Sequence, residues 1–148
     1  MTKPKTAKER VLLVDDYPDA REMYSEYLAF SGYDVVEAAN GIEALERAVE
    51  TQPDIILMDL SLPVMDGWEA TRRLKSDERT ADIPVVALTG HALAGISDGA
   101  KQAGCDAFIT KPCLPEDLVK AIRNILDAPS GSAGRKSRRS GKYAKTTG

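Results

Sequence analysis

The sequence predicts an α/β fold, a parallel sheet of five strands covered on both faces by five helices. Three observations carry that expectation. Short apolar runs alternate with amphipathic stretches through residues 9–127, and elements that alternate in this way build a parallel sheet. The runs Val11–Val14 and Ile55–Met58 are apolar at every position, the pattern of strands buried on both faces. Carboxylates then close both runs, Asp15 and Asp16 after the first and Asp59 after the second. A charge at such a place is unfavourable unless something offsets it.

The elements follow in order. Arg10–Val14 reads as the first strand. Pro18–Phe30 is a helix, with Pro18 early in its first turn and Gly32 just past its end. Asp34–Ala38 is the second strand, and Gly41–Glu50 a helix with Ile42, Leu45 and Val49 on one face. Asp54–Asp59 is the third strand, entered through Pro53. Trp68–Ser76 is a helix offering Ala70, Leu74 and the Trp68 ring for packing, and Ile83–Leu88 is the fourth strand. A helix over about 92–103 carries Gly95 and Gly99. Each glycine weakens it by roughly 1 kcal/mol relative to Ala, so it should be locally labile. Ala107–Ile109 is the fifth strand, and Pro115–Leu126 closes the series with Leu118, Val119, Ile122, Ile125 and Leu126 as its apolar positions. Residues 1–8 are then an N-terminal extension, 9–127 one domain, and 128–148 a basic Gly/Ser-rich tail expected to be disordered.

The net charge of -3 conceals an asymmetry. Six of the 20 basic residues lie in 128–148, which has no acid, so residues 1–127 hold 14 basic against 23 acidic side chains, or -9. An acidic body argues against nucleic-acid binding by the folded part, and residues 128–148 are too few for a DNA-binding domain. The basic stretch Arg135–Arg139 is open to contact with nucleic acid or acidic lipid, or to folding back on the acidic body. A solvated end that aids solubility is the leading expectation for it. No apolar run reaches the roughly 18 residues of a membrane span, so none is expected, and Met1–Lys5 has no apolar segment behind it such as a secretory signal requires. Cys105 and Cys113 lack CxxC spacing and read as reduced thiols of a cytoplasmic protein.

In an open parallel sheet, ligands bind beyond the carboxyl ends of the strands. Those ends carry Asp15 and Asp16, Asp59, Thr89 and Lys111, which puts three carboxylates, a hydroxyl and an ammonium at one edge. Hard oxygen ligands of this kind suit Mg²⁺, which keeps several waters and shares a phosphate. A carboxylate can attack phosphorus and form an acyl phosphate. The hydroxyl and the ammonium can hold phosphoryl oxygens, and transfer of that group needs mainly positioning and charge neutralisation.

Val14-Asp15-Asp16, the run Leu57–Gly67, Ala87-Leu88-Thr89-Gly90 and Thr110-Lys111-Pro112 resemble, in order, the signature segments of response-regulator receiver domains. The resemblance spans about residues 9–127. It implies the CheY-like, flavodoxin-like (βα)5 architecture with strand order 2-1-3-4-5, of the stand-alone single-domain type. It also implies that Asp59 is the phosphorylated residue. Mg²⁺ would be held by Asp15, Asp16, Asp59 and the backbone carbonyl of Ser61. Thr89 and Lys111 would bind the phosphoryl group, and Phe108 would be the switch aromatic. The donor would be a histidine kinase or histidine phosphotransfer protein. A downstream protein partner would meet the surface of the fourth helix, fifth strand and fifth helix. Ser61 and His91 lie two residues after Asp59 and Thr89, where the family varies. They are expected to set the lifetime of phospho-Asp59 by controlling access of water.

Other functions fit less well. The alternative is a relay or partner module of a hybrid histidine kinase, which reverse transfer to a phosphotransfer protein would reveal. Asp-nucleophile phosphatases need a second Asp two residues after the nucleophile, where this chain has Ser61. A flavin carrier of the same sheet order needs a hydroxyl-rich phosphate loop after the first strand, which is absent here. A receiver is not an enzyme in the ordinary sense, since it catalyses only its own phosphorylation and dephosphorylation.

Overall fold

The computed structural model describes residues 8–60, 62, 64–65, 67–89, 104–111 and 113–127. Five parallel strands, β1 (Arg10–Val14), β2 (Asp34–Ala38), β3 (Ile55–Asp59), β4 (Val85–Thr89) and β5 (Ala107–Thr110), form one sheet in the order β2-β1-β3-β4-β5. Four helices are described: α1 (Pro18–Phe30), α2 (Gly41–Thr51), α3 (Gly67–Ser76) and α4 (Pro115–Leu126). The helix expected over about 92–103, with Gly95 and Gly99, lies outside the described residues.

Alternation along the strands divides the interior into two cores. Val11 and Leu13 of β1, Ile55 and Leu57 of β3 and Val86 and Leu88 of β4 pack against Tyr24 and Leu28 of α1 and Leu118 and Ile122 of α4. Leu12, Val14, Ile56, Met58 and Val85 face the other way, onto Ala44 and Ala48 of α2 and Ala70 and Leu74 of α3. Every residue of β3 and β4 is buried, the expected consequence of covering both faces.

Local chemistry sets the ends. Asn40 caps α2, its side-chain oxygen accepting the Glu43 N–H at 2.9 Å while Glu43 reaches back to the Ala39 N–H at 2.8 Å. Such a cap is worth about 1 kcal/mol. α2 ends one residue beyond expectation, and Gln52, at φ 47, makes the left-handed turn that usually falls to glycine. β3 starts at Ile55 rather than Asp54, because the buried Asp54 carboxylate accepts the Arg10 N–H at 2.7 Å and ties β1 to β3 from below. β4 starts at Val85 rather than Ile83. The Ile83 N–H is held in a turn by the Thr80 carbonyl at 3.0 Å, and Pro84 has no N–H to give.

Candidate functional site

Parallel register aligns the carboxyl ends of the strands. Val14 lies opposite Met58, so Asp15 and Asp59 leave the sheet side by side. Thr89 lies opposite Thr110, and the Lys111 N–H donates to the Thr89 carbonyl at 2.6 Å. The sheet thus gathers at one rim the five groups singled out from the sequence. Asp15 and Asp59 are 0% and 6% exposed, and Thr89 is buried too. Asp16 departs from expectation: it is exposed, one residue beyond Asp15, whose N–H still donates to the Ala38 carbonyl of β2 at 3.1 Å.

Carboxylate oxygens of Asp15, Asp16 and Asp59 lie within 4.8 Å of one another. The Lys111 ammonium sits between the two buried acids, 3.3 Å from Asp15 Oδ2 and 3.4 Å from Asp59 Oδ2. Burial pushes the Lys111 pKa down, but the charges and hydrogen bonds of Asp59 and Asp15 outweigh it and raise the value above the ordinary 10.5. Among the described residues one ammonium faces three carboxylates, and a cluster of hard oxygens with that balance of charge fits a divalent cation.

The raised Lys111 value has a sign. A lysine more basic in the folded chain than in the unfolded one contributes its full stabilisation below 10.5, lost as pH rises through the folded value. Lys111→Met is therefore expected to lower stability by about 2 kcal/mol at neutral pH, because it leaves buried carboxylates without their ammonium. Relative to wild type it should also lose less stability between about pH 9 and pH 12. Urea unfolding at both pH values checks this, and a difference between the two proteins that does not shrink with pH would contradict it.

Two positioning features were given no role from the sequence. The Arg21 guanidinium donates to the Asp15 backbone carbonyl at 2.7 Å and pairs with Glu37 of β2 at 3.1 Å, while the Tyr17 N–H donates to Asp15 Oδ1 at 2.9 Å. Asp15 is thereby fixed with its other oxygen toward Lys111. Only the β1–β2 pairing brings Glu37 to Arg21. Gly67 is the second feature. Its N–H donates to the Leu60 carbonyl at 3.2 Å, and a Cβ there would fall on the Asp59 carbonyl oxygen and 2.7 Å from Leu60 Cα. Gly67 thus lies hard against the backbone of Asp59.

Phe108 is 37% exposed and, among the described residues, belongs to neither core, unlike its neighbours Ala107 and Ile109, which pack on the α1 and α4 side of the sheet. Ser61 and His91 lie outside the described residues. Cys105 and Cys113 are unpaired. No helix among the described residues is long and apolar enough to cross a membrane.

This fold, with acids at the ends of β1 and β3 and a lysine after β5, is that of a receiver. The sequence profile of the response regulator receiver domain matches residues 11–123, and the chain belongs to that family. It is 37% identical over 116 residues to the polar-differentiation response regulator DivK of Brucella anthropi, a match covering 78% of this chain and 94% of DivK. It is 43% identical over 119 residues to the DNA-binding dual master transcriptional regulator RpaA of a Synechocystis species, covering 79% of this chain but 48% of RpaA. The chain thus spans about half the length of that relative. Among solved structures it resembles the Vibrio cholerae chemotaxis protein CheY4, with TM-score 0.77, 33% identity and coverage of 80% of this chain and 98% of CheY4. It also resembles the receiver domain of the Pseudomonas aeruginosa sensor histidine kinase PA1611, with TM-score 0.76, 34% identity and coverage of 82% and 100%. In that receiver a magnesium ion is coordinated in the active-site cleft. The present chain is a signalling domain of two-component phosphoacceptor systems rather than a conventional enzyme. Its Asp15, Asp16 and Asp59 cluster can hold a metal ion.

Proposed function

We propose that Asp59 accepts a phosphoryl group from a phosphohistidine on a histidine kinase or phosphotransfer protein, within a receiver unit spanning residues 9–127 of a cytoplasmic protein. The observation that carries this reading is the placement of a buried Asp59 carboxylate 3.4 Å from the Lys111 ammonium, at a rim where two further carboxylates converge. A carboxylate oxygen of Asp59 attacks phosphorus, the P–N bond breaks, and its electron pair stays with the imidazole. Lys111 moves with the transferred charge, exchanging a carboxylate oxygen for a phosphoryl oxygen, and the Thr89 hydroxyl donates to another. With Asp15, Asp16, Asp59 and the Ser61 carbonyl as protein ligands, Mg²⁺ would supply neutralisation of the phosphoryl oxygens. Phe108, exposed on the edge strand, repacks as Thr89 moves, and β5 and α4, with the helix expected over about 92–103, form the surface that a downstream protein reads.

The test is incubation of the purified chain with a small-molecule phosphodonor, with and without Mg²⁺. A labile phosphoryl adduct that needs the cation is expected, and its absence in both conditions would overturn the assignment. Ser61 and His91 tune the lifetime of that adduct by admitting or excluding the attacking water. Ser61→Ala and His91→Ala are expected to change the hydrolysis rate severalfold, and rates equal to wild type in both would contradict the role.

A further inference from the structure

The helix α1 carries a face that the two cores do not use. Met23, Tyr27 and Phe30 recur at helical spacing on one stripe and are 45%, 37% and 90% exposed. Asp19, Glu22 and Glu26 share that face, are exposed, and enter no ion pair among the described residues. At 100° per residue the six positions fall within an arc of about 140°. An apolar stripe flanked by acids selects its occupant. A second copy of the same face would set acid against acid, and a purely apolar partner would bury the acids unpaired. Lysine and arginine satisfy both needs, because their aliphatic stems cover apolar surface while their heads reach carboxylates, and guanidinium groups stack on aromatic rings.

The chain itself supplies such a segment. Residues 135–145 contain Arg135, Lys136, Arg138, Arg139, Lys142 and Lys145 and no acid. The point of departure is close to α1. Arg123 of α4 pairs with Asp127 at 3.2 Å and lies over the Tyr33 ring, 5.7 Å from its centroid, and Tyr33 is three residues beyond Phe30. From Asp127 the eight residues to Arg135 reach roughly 27 Å when extended, whereas Phe30 to Asp19 spans about 17 Å along the helix. We infer that the basic segment 135–145 folds back over the Met23, Tyr27 and Phe30 face of α1, its cations meeting Asp19, Glu22 and Glu26. Single exposed ion pairs are weak, but tethering raises the effective concentration to the millimolar range, so several weak contacts suffice. The contact must then yield to salt.

Trypsin digestion of the full chain, followed by mass spectrometry, tests this. Cleavage after Arg135–Arg139 is expected to be about threefold slower in wild type at low salt than in a Glu22→Gln, Glu26→Gln, Phe30→Ser variant with an unchanged melting curve. High salt should erase the difference. Equal rates at low salt would overturn the proposal. A second reading uses the Met23 methyl resonance. It should move when Arg135, Lys136, Arg138 and Arg139 are changed to Ser, by an amount independent of protein concentration. A shift that depends on concentration would assign the face to a second copy, and an unmoved Met23 resonance with shifts at Asp15, Asp16 and Asp59 instead would place the segment on the acidic rim. Either result overturns the proposal.

Discussion

Asp59→Asn is expected to abolish phosphorylation, lowering adduct formation from a phosphodonor by at least about three orders of magnitude. The amide keeps the size and shape of the carboxylate but has no anionic oxygen to attack phosphorus. The fold should survive the change. Lys111 still pairs with Asp15 at 3.3 Å, and one negative charge leaves a crowded rim, so the thermal midpoint should hold or rise. A loss of labelling with an intact melting curve separates chemistry from unfolding. Undiminished labelling of Asp59→Asn would show that another group carries the phosphoryl.

Gly67→Ala is expected to damage both stability and the site. Gly67 opens α3 with its Cα pressed on the end of β3, where an added methyl would meet the Asp59 carbonyl and Leu60 Cα. These are backbone atoms, so relief requires the end of β3 to move. Overpacking of this kind costs about 2 kcal/mol, enough to lower the thermal midpoint by roughly 5–10 °C. Because the displaced backbone is that of Asp59 itself, labelling should fall with it. Gly32→Ala is the comparison. Gly32 sits at φ 104 with open space around its Cα, so its cost is conformational alone, about 1 kcal/mol, and labelling should be unchanged. Thermal melts and labelling of both variants check this; equal labelling by Gly67→Ala and wild type would contradict the steric reading.

The elements with strong local signals were legible in the sequence. The bounds of β1, α1, β2 and α4 follow from apolar runs, Pro18 and Pro115, and Gly32, all local features. The gathering of Asp15, Asp59, Thr89 and Lys111 was legible as well, since parallel strands necessarily present their carboxyl ends at one edge. What escaped depends on neighbours distant in sequence. Asp54 leaves β3 because Arg10 claims its carboxylate. Arg21 anchors Asp15 only because β2 delivers Glu37. The closeness of Gly67 to Asp59 depends on how the loop returns. Exposure of Asp16 escaped for a different reason: an acidic pair after an apolar run does not reveal which member is still tied by its backbone to the neighbouring strand.

The most direct measurement is to locate the phosphoryl group itself. The chain would be labelled with a small-molecule phosphodonor and Mg²⁺, the acyl phosphate trapped by reduction with borohydride, and the modified residue read from peptide mass spectra. Reduction confined to Asp59 is the expected result. A trapped adduct on Asp15 or Asp16, or none on any carboxylate of the rim, would contradict it.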